Sequence, residues 1–292
     1  MEKLLTIVVP TYNRPHHLIQ TLESLCPQLP EEVILVVRDN QSCNYDFWKL
    51  ISPYVDKYNI VVEQNSTNIG GCGNIAKAFE SCTTKWLWIK GDDDEVSYSS
   101  VLKVLYYIRS NNEDVYIKFN SKFNGRVTGI NGFASAMKEN GAFNSSFFIS
   151  ECIYKLEKLK PYVYLLYKHL SIRFPQILII MDYLIKNKEE SCFFTSDELV
   201  IDHGLDITWA YNDLIIPYLT MFDLYRDQHK TLSDNVFKCI ASTLLYTIDY
   251  SNLSIRDKFY YYTLLIFKYG LIQLIRYNYR TIGAIVLGKN PC

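Results

Sequence analysis

Three consecutive carboxylates, Asp92-Asp93-Asp94, with Glu95 behind them, follow the run Trp86-Leu87-Trp88-Ile89-Lys90-Gly91. An apolar, aromatic strand carries the backbone inward and releases a dense negative cluster at its end. Adjacent like charges repel, so the cluster needs solvent, hydrogen bonds or a cation to remain ionised. A divalent metal holding a diphosphate answers that need, because hard cations take carboxylate and phosphate oxygens together. That chemistry suggests an enzyme acting on a nucleotide-diphosphate compound. The plain alternative is a solvated acidic turn. An EF-hand calcium loop is excluded, since its ligands alternate and need a central glycine.

Other loops carry residues of the same kind. Thr11-Tyr12-Asn13 follows Pro10, which frees the backbone to approach a ligand. Tyr12 has the face to stack on a nucleobase, or to pack in the interior. Asp39 can accept from an imide N–H or a ribose hydroxyl; Asp-Asn is equally a turn former. Gly70, Gly71 and Gly73 permit close backbone approach at a helix start, where N–H groups favour anions. These glycines do not form a G-x-x-x-x-G-K-[ST] loop, and alone they read as a capping turn.

The elements that must position these residues alternate. Leu4 to Val9 is a continuous apolar run, expected to be a strand buried on both faces and ended by Pro10. Pro15 opens a helix with Leu18, Ile19, Leu22 and Leu25 at helical spacing, stopped at Pro27. Val33 to Val37 and Ile60 to Val62 are further strands, flanking a helix from Tyr45 to Tyr58 that Pro53 should break or kink. A helix from Ile75 to Ser81 precedes a fourth strand, Lys85 to Lys90. Such alternation implies right-handed crossovers and a mainly parallel sheet, with ligands beyond the carboxyl ends of the strands. Several polar loops converge on that one edge.

Beyond Ser97 the pattern predicts a helix to Arg109, a strand at Val115 to Phe119 and an antiparallel strand at Arg126 to Ile130. From Phe147 the chain reads as largely helical, with helices at 152–159, 163–169, 175–186 and 217–228. Short strands are expected at Cys192 to Thr195 and Leu199 to Asp202. From Asn252, apolar and aromatic residues are interleaved with Lys258, Lys268, Arg276, Arg280 and Lys289. Such a basic amphipathic helix suits an interfacial membrane anchor; the alternative is a helix packed on the core.

The chain has 292 residues, 49% hydrophobic and 21% charged, a globular composition. A net charge of -1 provides no basic field to recruit nucleic acid. None of the eight cysteines forms a C-x-x-C pair, which argues against a zinc ribbon or thioredoxin-type site. No signal-peptide pattern opens the chain and no uncharged run reaches membrane-span length, so a cytoplasmic setting with free thiols is expected.

Four segments carry a family resemblance. Val8-Val9-Pro10-Thr11-Tyr12-Asn13-Arg14 resembles the opening strand and loop of family 2 glycosyltransferases, which have the GT-A fold. Val36-Val37-Arg38-Asp39-Asn40-Gln41-Ser42 resembles the second-strand motif, whose acid hydrogen-bonds the base. Asn68-Ile69-Gly70-Gly71-Cys72-Gly73-Asn74 resembles the segment lining the nucleotide cleft. Ile89-Lys90-Gly91-Asp92-Asp93-Asp94 resembles the metal-binding aspartate motif. Together they cover roughly the first hundred residues in family order.

The resemblance implies a GT-A core over residues 1–130, a mainly helical acceptor-binding part over 131–250, and the basic helix over 251–292. It implies a nucleotide-sugar site formed by Pro10, Thr11, Tyr12, Asn13, Arg14, Asp39, Asn40, Asn68, Gly70, Gly71, Asn74, Asp92 and Asp93. Asp93 and Asp94 would hold Mn²⁺ or Mg²⁺, although Gly91 stands where the commoner D-x-D-D form has its first carboxylate. Many inverting relatives have a Glu-Asp pair at a helix start, one carboxylate acting as base. Here that region reads Arg173-Phe174-Pro175-Gln176-Ile177, resembling bacterial O-antigen and capsule transferases with a G-D-D-D motif.

Candidate bases are therefore Glu151, Asp182, Asp202 and His203, and retention or inversion stays open. Trp209 is a sugar platform or a core residue. The implied partners are a nucleotide-diphosphate-sugar donor and a glycan acceptor, polyprenyl-diphosphate-linked, at the inner leaflet. The other readings are a sugar nucleotidyltransferase, whose glycine-rich loop after the first strand is absent, and a non-catalytic nucleotide-sugar-binding homologue.

Overall fold

A computed structural model describes residues 2–58, 60–140, 148–203, 212–228 and 234–270. Trp209, and the basic residues of the last segment from Arg276 onward, lie outside them. In chain order the first elements are β1 (Leu5–Thr11), α1 (Pro15–Leu25), β2 (Val33–Asp39), α2 (Phe47–Lys57) and β3 (Ile60–Gln64). Next come α3 (Gly70–Ser81), β4 (Trp86–Ile89), β5 (Asp94–Val96), α4 (Ser100–Ser110), β6 (Tyr116–Lys118) and β7 (Gly125–Thr128). They are followed by α5 (Gly129–Glu139), β8 (Cys152–Lys155), α6 (Leu156–Leu159), α7 (Tyr164–Lys168) and α8 (Pro175–Lys186). The last are β9 (Ser191–Phe194), β10 (Val200–His203), α9 (Asn212–Gln228), α10 (Asp234–Tyr250) and α11 (Ile255–Tyr269).

The chain divides into two units, one of residues 1–129 and 146–206, the other of 130–145 and 207–292. In the first, eight strands form a mixed sheet in the order β3-β2-β1-β4-β8-β6-β9-β7. β3, β2, β1 and β4 are parallel, as the alternation predicts. Leu5, Ile7 and Val9 of β1 share a core with Leu18, Leu22 and Leu25 of α1 and with Trp86 and Trp88 of β4. In the second unit, α10 packs against α9 and α11. The seven cysteines among the described residues are free thiols.

Several boundaries differ from expectation, each for a local reason. β1 does not stop at Pro10. The Thr11 carbonyl bonds Asn40 on the β2 side and that of Val8 bonds Lys90 on the β4 side. Pro10 therefore faces β4, whose pairing has already ended at Ile89, and its missing N–H costs nothing. α2 runs unbroken through Pro53, which is exposed. The proline removes the partner of the Lys49 carbonyl, and the Ser52 hydroxyl donates to that oxygen at 3.4 Å.

α3 begins at Gly70, five residues earlier than expected, because the Asn68 side chain accepts from the Gly70 N–H at 2.8 Å. Cys152 to Lys155 form a central strand and not a helix. All four are buried, and a short apolar run carries no period to tell the two apart. β7 pairs antiparallel with β9, which separates it from β6. β5, unforeseen, pairs antiparallel with β10. Among the described residues, no helix is long and apolar enough to cross a membrane.

Candidate active site

The acidic turn lies just past the end of β4, beside the ends of β1 and β2. Asp92 is buried, and its side chain points inward. Thr11 donates its hydroxyl to Asp92 Oδ2 at 2.7 Å, and the Arg14 guanidinium reaches Asp92 Oδ1 at 3.1 Å. The hydroxyl of Thr21, from α1, donates to the Asp92 carbonyl at 2.9 Å. Burial pushes the Asp92 carboxyl above its usual range, against the pull of Thr11 and Arg14. Arg14 also reaches Asp93 Oδ2 at 2.8 Å, so one cation ties two of the three carboxylates to the β1 loop.

Asp93 and Asp94 are only half-buried. Their carboxylates converge over Gly91. A Cβ there would stand 2.9 Å from Asp94 Oδ2 and 3.0 Å from Asp93 Oδ1. Below the turn lies Lys90, fully buried, whose ammonium donates to the Gly91 carbonyl at 2.6 Å and to the Asp94 carbonyl. Burial lowers its pKa to about 8, although Asp94, Asp93, Asp92 and Glu95 all favour the charged form. The Ser150 hydroxyl donates to Asp94 Oδ2 and accepts from the Gly91 N–H at 2.8 Å.

An open cavity of about 380 Å³ adjoins this turn, lined by His17, Gln20 and Glu23 of α1 and by Asp93, Asp94 and Glu95. Among the described residues, no three His, Cys, Asp or Glu side chains gather to hold a metal without other ligands. The two converging carboxylates nonetheless fit the habit of Mg²⁺ and Mn²⁺, which take one or two carboxylates and complete their shell with phosphates and water.

The β2 end and the α3 start form a second polar cluster. Asp39 is fully buried and accepts from the Ser42 N–H at 2.9 Å, the Ser42 hydroxyl at 2.5 Å and Gln64 Nε2 at 2.8 Å. Its carboxylate thus holds the β2 loop together, and a nucleobase would have to compete with these donors. Asn40 donates to Asn68 Oδ1 at 2.8 Å and accepts from Asn65 at 2.9 Å and the Ile69 N–H at 3.0 Å. Asn65 in turn donates to Asn74 Oδ1 at 2.9 Å. These four asparagines lock α3 onto the ends of β2 and β3.

Gly70, at φ +75°, and Gly71 are exposed, and a Cβ on either would meet nothing within 4 Å. That leaves the first turn of α3 bare for a ligand. Tyr12 is 39% exposed on the β1 loop. Asn13 takes a left-handed φ of 55°, and its side-chain oxygen accepts from the Cys43 N–H at 2.8 Å. The β1 and β2 loops are so joined.

The candidate bases fare differently. Glu151 is fully buried; Lys118 Nζ lies 2.8 Å from one of its oxygens and Asn120 donates to the other at 2.8 Å. It is a structural ion pair without a surface from which to reach an acceptor hydroxyl. Asp182 pairs with Lys186 one turn along α8, at 2.8 Å, and does not line the cavity. The register of β5 with β10 sets His203 opposite Asp94 and Asp202 opposite Glu95. His203 is therefore brought to the acidic turn by its backbone.

Sequence reasoning missed Lys90, Ser150, Thr21, Gln64 and Asn65. A lysine directly after the apolar run of β4 was a usable signal. Ser150 had none, standing 56 residues from Asp94 beside no motif.

Residues 6–155 match the model of glycosyl transferase family 2. Over 176 residues the chain is 28% identical to the poly(ribitol-phosphate) beta-N-acetylglucosaminyltransferase TarS of Staphylococcus aureus, covering 59% of this chain and 30% of TarS. Over 118 residues it is 27% identical to the abequosyltransferase RfbV of Salmonella typhimurium, covering 39% of this chain and 35% of RfbV. The matches thus span about a third of the length of these relatives.

The crystal structure of S. aureus TarS 1-349 with UDP-GlcNAc superposes with a TM-score of 0.66 at 15% identity, covering 98% of this chain and 92% of that one. The mannosyltransferase PcManGT of Pyrobaculum calidifontis, with GDP-Man and Mn²⁺, superposes with a TM-score of 0.52 at 12% identity, covering 97% and 88%. At these identities the likeness shows the fold, which is GT-A.

Proposed function

The chain belongs to glycosyl transferase family 2, and from that premise we propose that it transfers a hexosyl or deoxyhexosyl group from a nucleotide-diphosphate-sugar to a glycan hydroxyl. The observation that carries this reading is the convergence of Asp93 and Asp94 over Gly91 at the carboxyl end of β4, where ligands of such sheets bind. Tyr12 offers a face to the base, and Asn40, Asn68 and Asn74 hold the cleft in shape. Gly70 and Gly71 leave the start of α3 open to close approach, where helix N–H groups suit the diphosphate. Thr11 and Arg14 anchor Asp92, Arg14 also reaches Asp93 Oδ2, and Asp93 and Asp94 would hold Mn²⁺ or Mg²⁺ through their remaining oxygens. When bound, such an ion supplies Lewis-acid neutralisation of the departing diphosphate.

Of the candidate bases, His203 is favoured, because β10 brings it opposite Asp94 while Glu151 is committed to Lys118. The names of TarS and RfbV support a role in bacterial surface polysaccharide synthesis; the acceptor in this reading is a lipid-linked glycan. In that setting the enzyme works in the cytoplasm, and α11 with the basic chain beyond it attaches it to the inner face of the membrane. The exposed Ile255, Phe259 and Phe267 of α11 are the apolar contribution to such attachment.

The test is a panel of UDP-, GDP-, dTDP- and CDP-sugars incubated with Mn²⁺ and with chelator. Metal-dependent release of one nucleoside diphosphate, lost in Asp93→Ala and Asp94→Ala variants that still fold, is the expected result. Full activity in both variants would refute it. Tight nucleotide binding without turnover on any acceptor would favour a non-catalytic homologue. Pyrophosphate release from a nucleoside triphosphate would favour a nucleotidyltransferase.

A further inference from the structure

Lys90 directly follows the apolar strand β4 and is fully buried, a costly position for an ammonium unless it does something that an apolar side chain cannot. Its hydrogen bonds go to the main-chain carbonyls of Gly91 and Asp94, not to the carboxylates. Ser150 completes the arrangement from the other side, accepting from the Gly91 N–H and donating to the Asp94 carboxylate. Gly91 is thus tied at both its main-chain groups. Asp94 is tied at its carbonyl and at its side chain. The two ends of the acidic turn are closed by two side chains that the mechanism above does not use.

Ser150 is itself held in place. Its carbonyl accepts from Trp88 Nε1 at 2.7 Å, and its neighbour Glu151 is fixed by the buried pair with Lys118. Both anchors stand on strands of the sheet, since β4 pairs with β8 through Trp88 and Ile153. The clamp therefore rests on buried, hydrogen-bonded residues beside β4 and β8.

We propose that Lys90 and Ser150 are positioning residues that preset the Gly91–Asp94 turn, so that Asp93 and Asp94 meet a divalent cation and its diphosphate without rearrangement. A fixed positive charge beneath three adjacent carboxylates opposes their mutual repulsion before any metal arrives. The serine hydroxyl orients the Asp94 carboxylate in the way that outer partners orient metal ligands elsewhere. The proposal rests on the donor reading given above.

The test titrates the full-length chain with Mn²⁺, with and without UDP, following free Mn²⁺ by electron paramagnetic resonance. Ser150→Ala should raise the Mn²⁺ Kd by roughly 10- to 100-fold in a chain that still unfolds cooperatively on heating. Ser150→Thr, which keeps the hydroxyl, should restore the wild-type Kd. Lys90→Met should weaken binding in the same direction. Wild-type Kd values in Ser150→Ala and Lys90→Met would overturn the clamp and leave the metal site standing. If the wild-type chain binds no Mn²⁺ even with UDP, the donor reading falls and the clamp with it.

Discussion

Lys90 also makes a prediction about stability that requires no substrate. Its ammonium lies beneath the acidic turn, and burial brings its pKa from 10.5 to about 8. Between these values the unfolded chain still holds the proton and the folded chain has lost it. Stability therefore rises with pH across that window, and the penalty is fully present below about 8. A pKa lowered by that amount is worth about 3 kcal/mol.

The perturbation is Lys90→Met, which keeps an unbranched side chain, one heavy atom shorter, and removes the charge. It also strips donors from the Gly91 and Asp94 carbonyls, at a cost of about 1–3 kcal/mol each where buried. That offset does not vary with pH. The assay is urea unfolding of both proteins from pH 7 to pH 10.5, in chelator, comparing the slope of stability against pH. Tyrosine and cysteine titrations are common to both and cancel. The wild type should gain about 3 kcal/mol relative to the variant over this range. Parallel curves would refute the reasoning, and would mean that the acidic neighbours fully compensate the burial.

Other expectations concern single positions. Asp92 titrates with the opposite sign: its folded pKa is raised, so wild-type stability should fall as pH rises from the unfolded carboxyl value through the folded one, and Asp92→Asn should remove that slope in acid-side urea melts. Gly91→Ala forces a side-chain atom, Asp94 Oδ2, to yield, so it should cost less than about 1 kcal/mol in thermal unfolding yet sharply weaken Mn²⁺ binding by titration. Gly129→Ala should be far more damaging. There φ is +63° and the Cβ would stand 2.7 Å from the Lys188 carbonyl, a backbone atom that cannot move aside, and a loss of about 2–4 kcal/mol is expected in denaturant unfolding. Pro53→Ala gives the Lys49 carbonyl its helical partner back and should stabilise by about 1–2 kcal/mol in the same assay.

The asparagine-rich loops and the acidic turn were legible because each follows a short strand whose buried, β-branched or aromatic run is recorded in adjacent residues. The order of β1, β2 and β4, and their shared carboxyl edge, came from the same local pattern. The helix starts were less legible. At α3 the decisive contact is one side-chain oxygen of Asn68 on the Gly70 N–H, which outweighs the poor propensity of three glycines. Cys152–Lys155 was misread because a four-residue buried run fits either period, and only its place between β4 and β6 makes it a strand.

What the sequence by itself made legible is the family resemblance and the end of the sheet where the polar loops gather. Hydrophobic period and acidic composition are local properties, written in consecutive residues. What only the tertiary structure decided is which carboxylates are buried among partners and which stay half-exposed at the turn. Asp39 and Glu151 are acids of the same type as Asp93 and Asp94, yet Ser42, Gln64 and Lys118 claim them. Ser42 is a near neighbour, three residues on, but Gln64 and Lys118 come from other elements, and hydrogen bonds and ion pairs depend on proximity in space, which spacing along the chain does not encode.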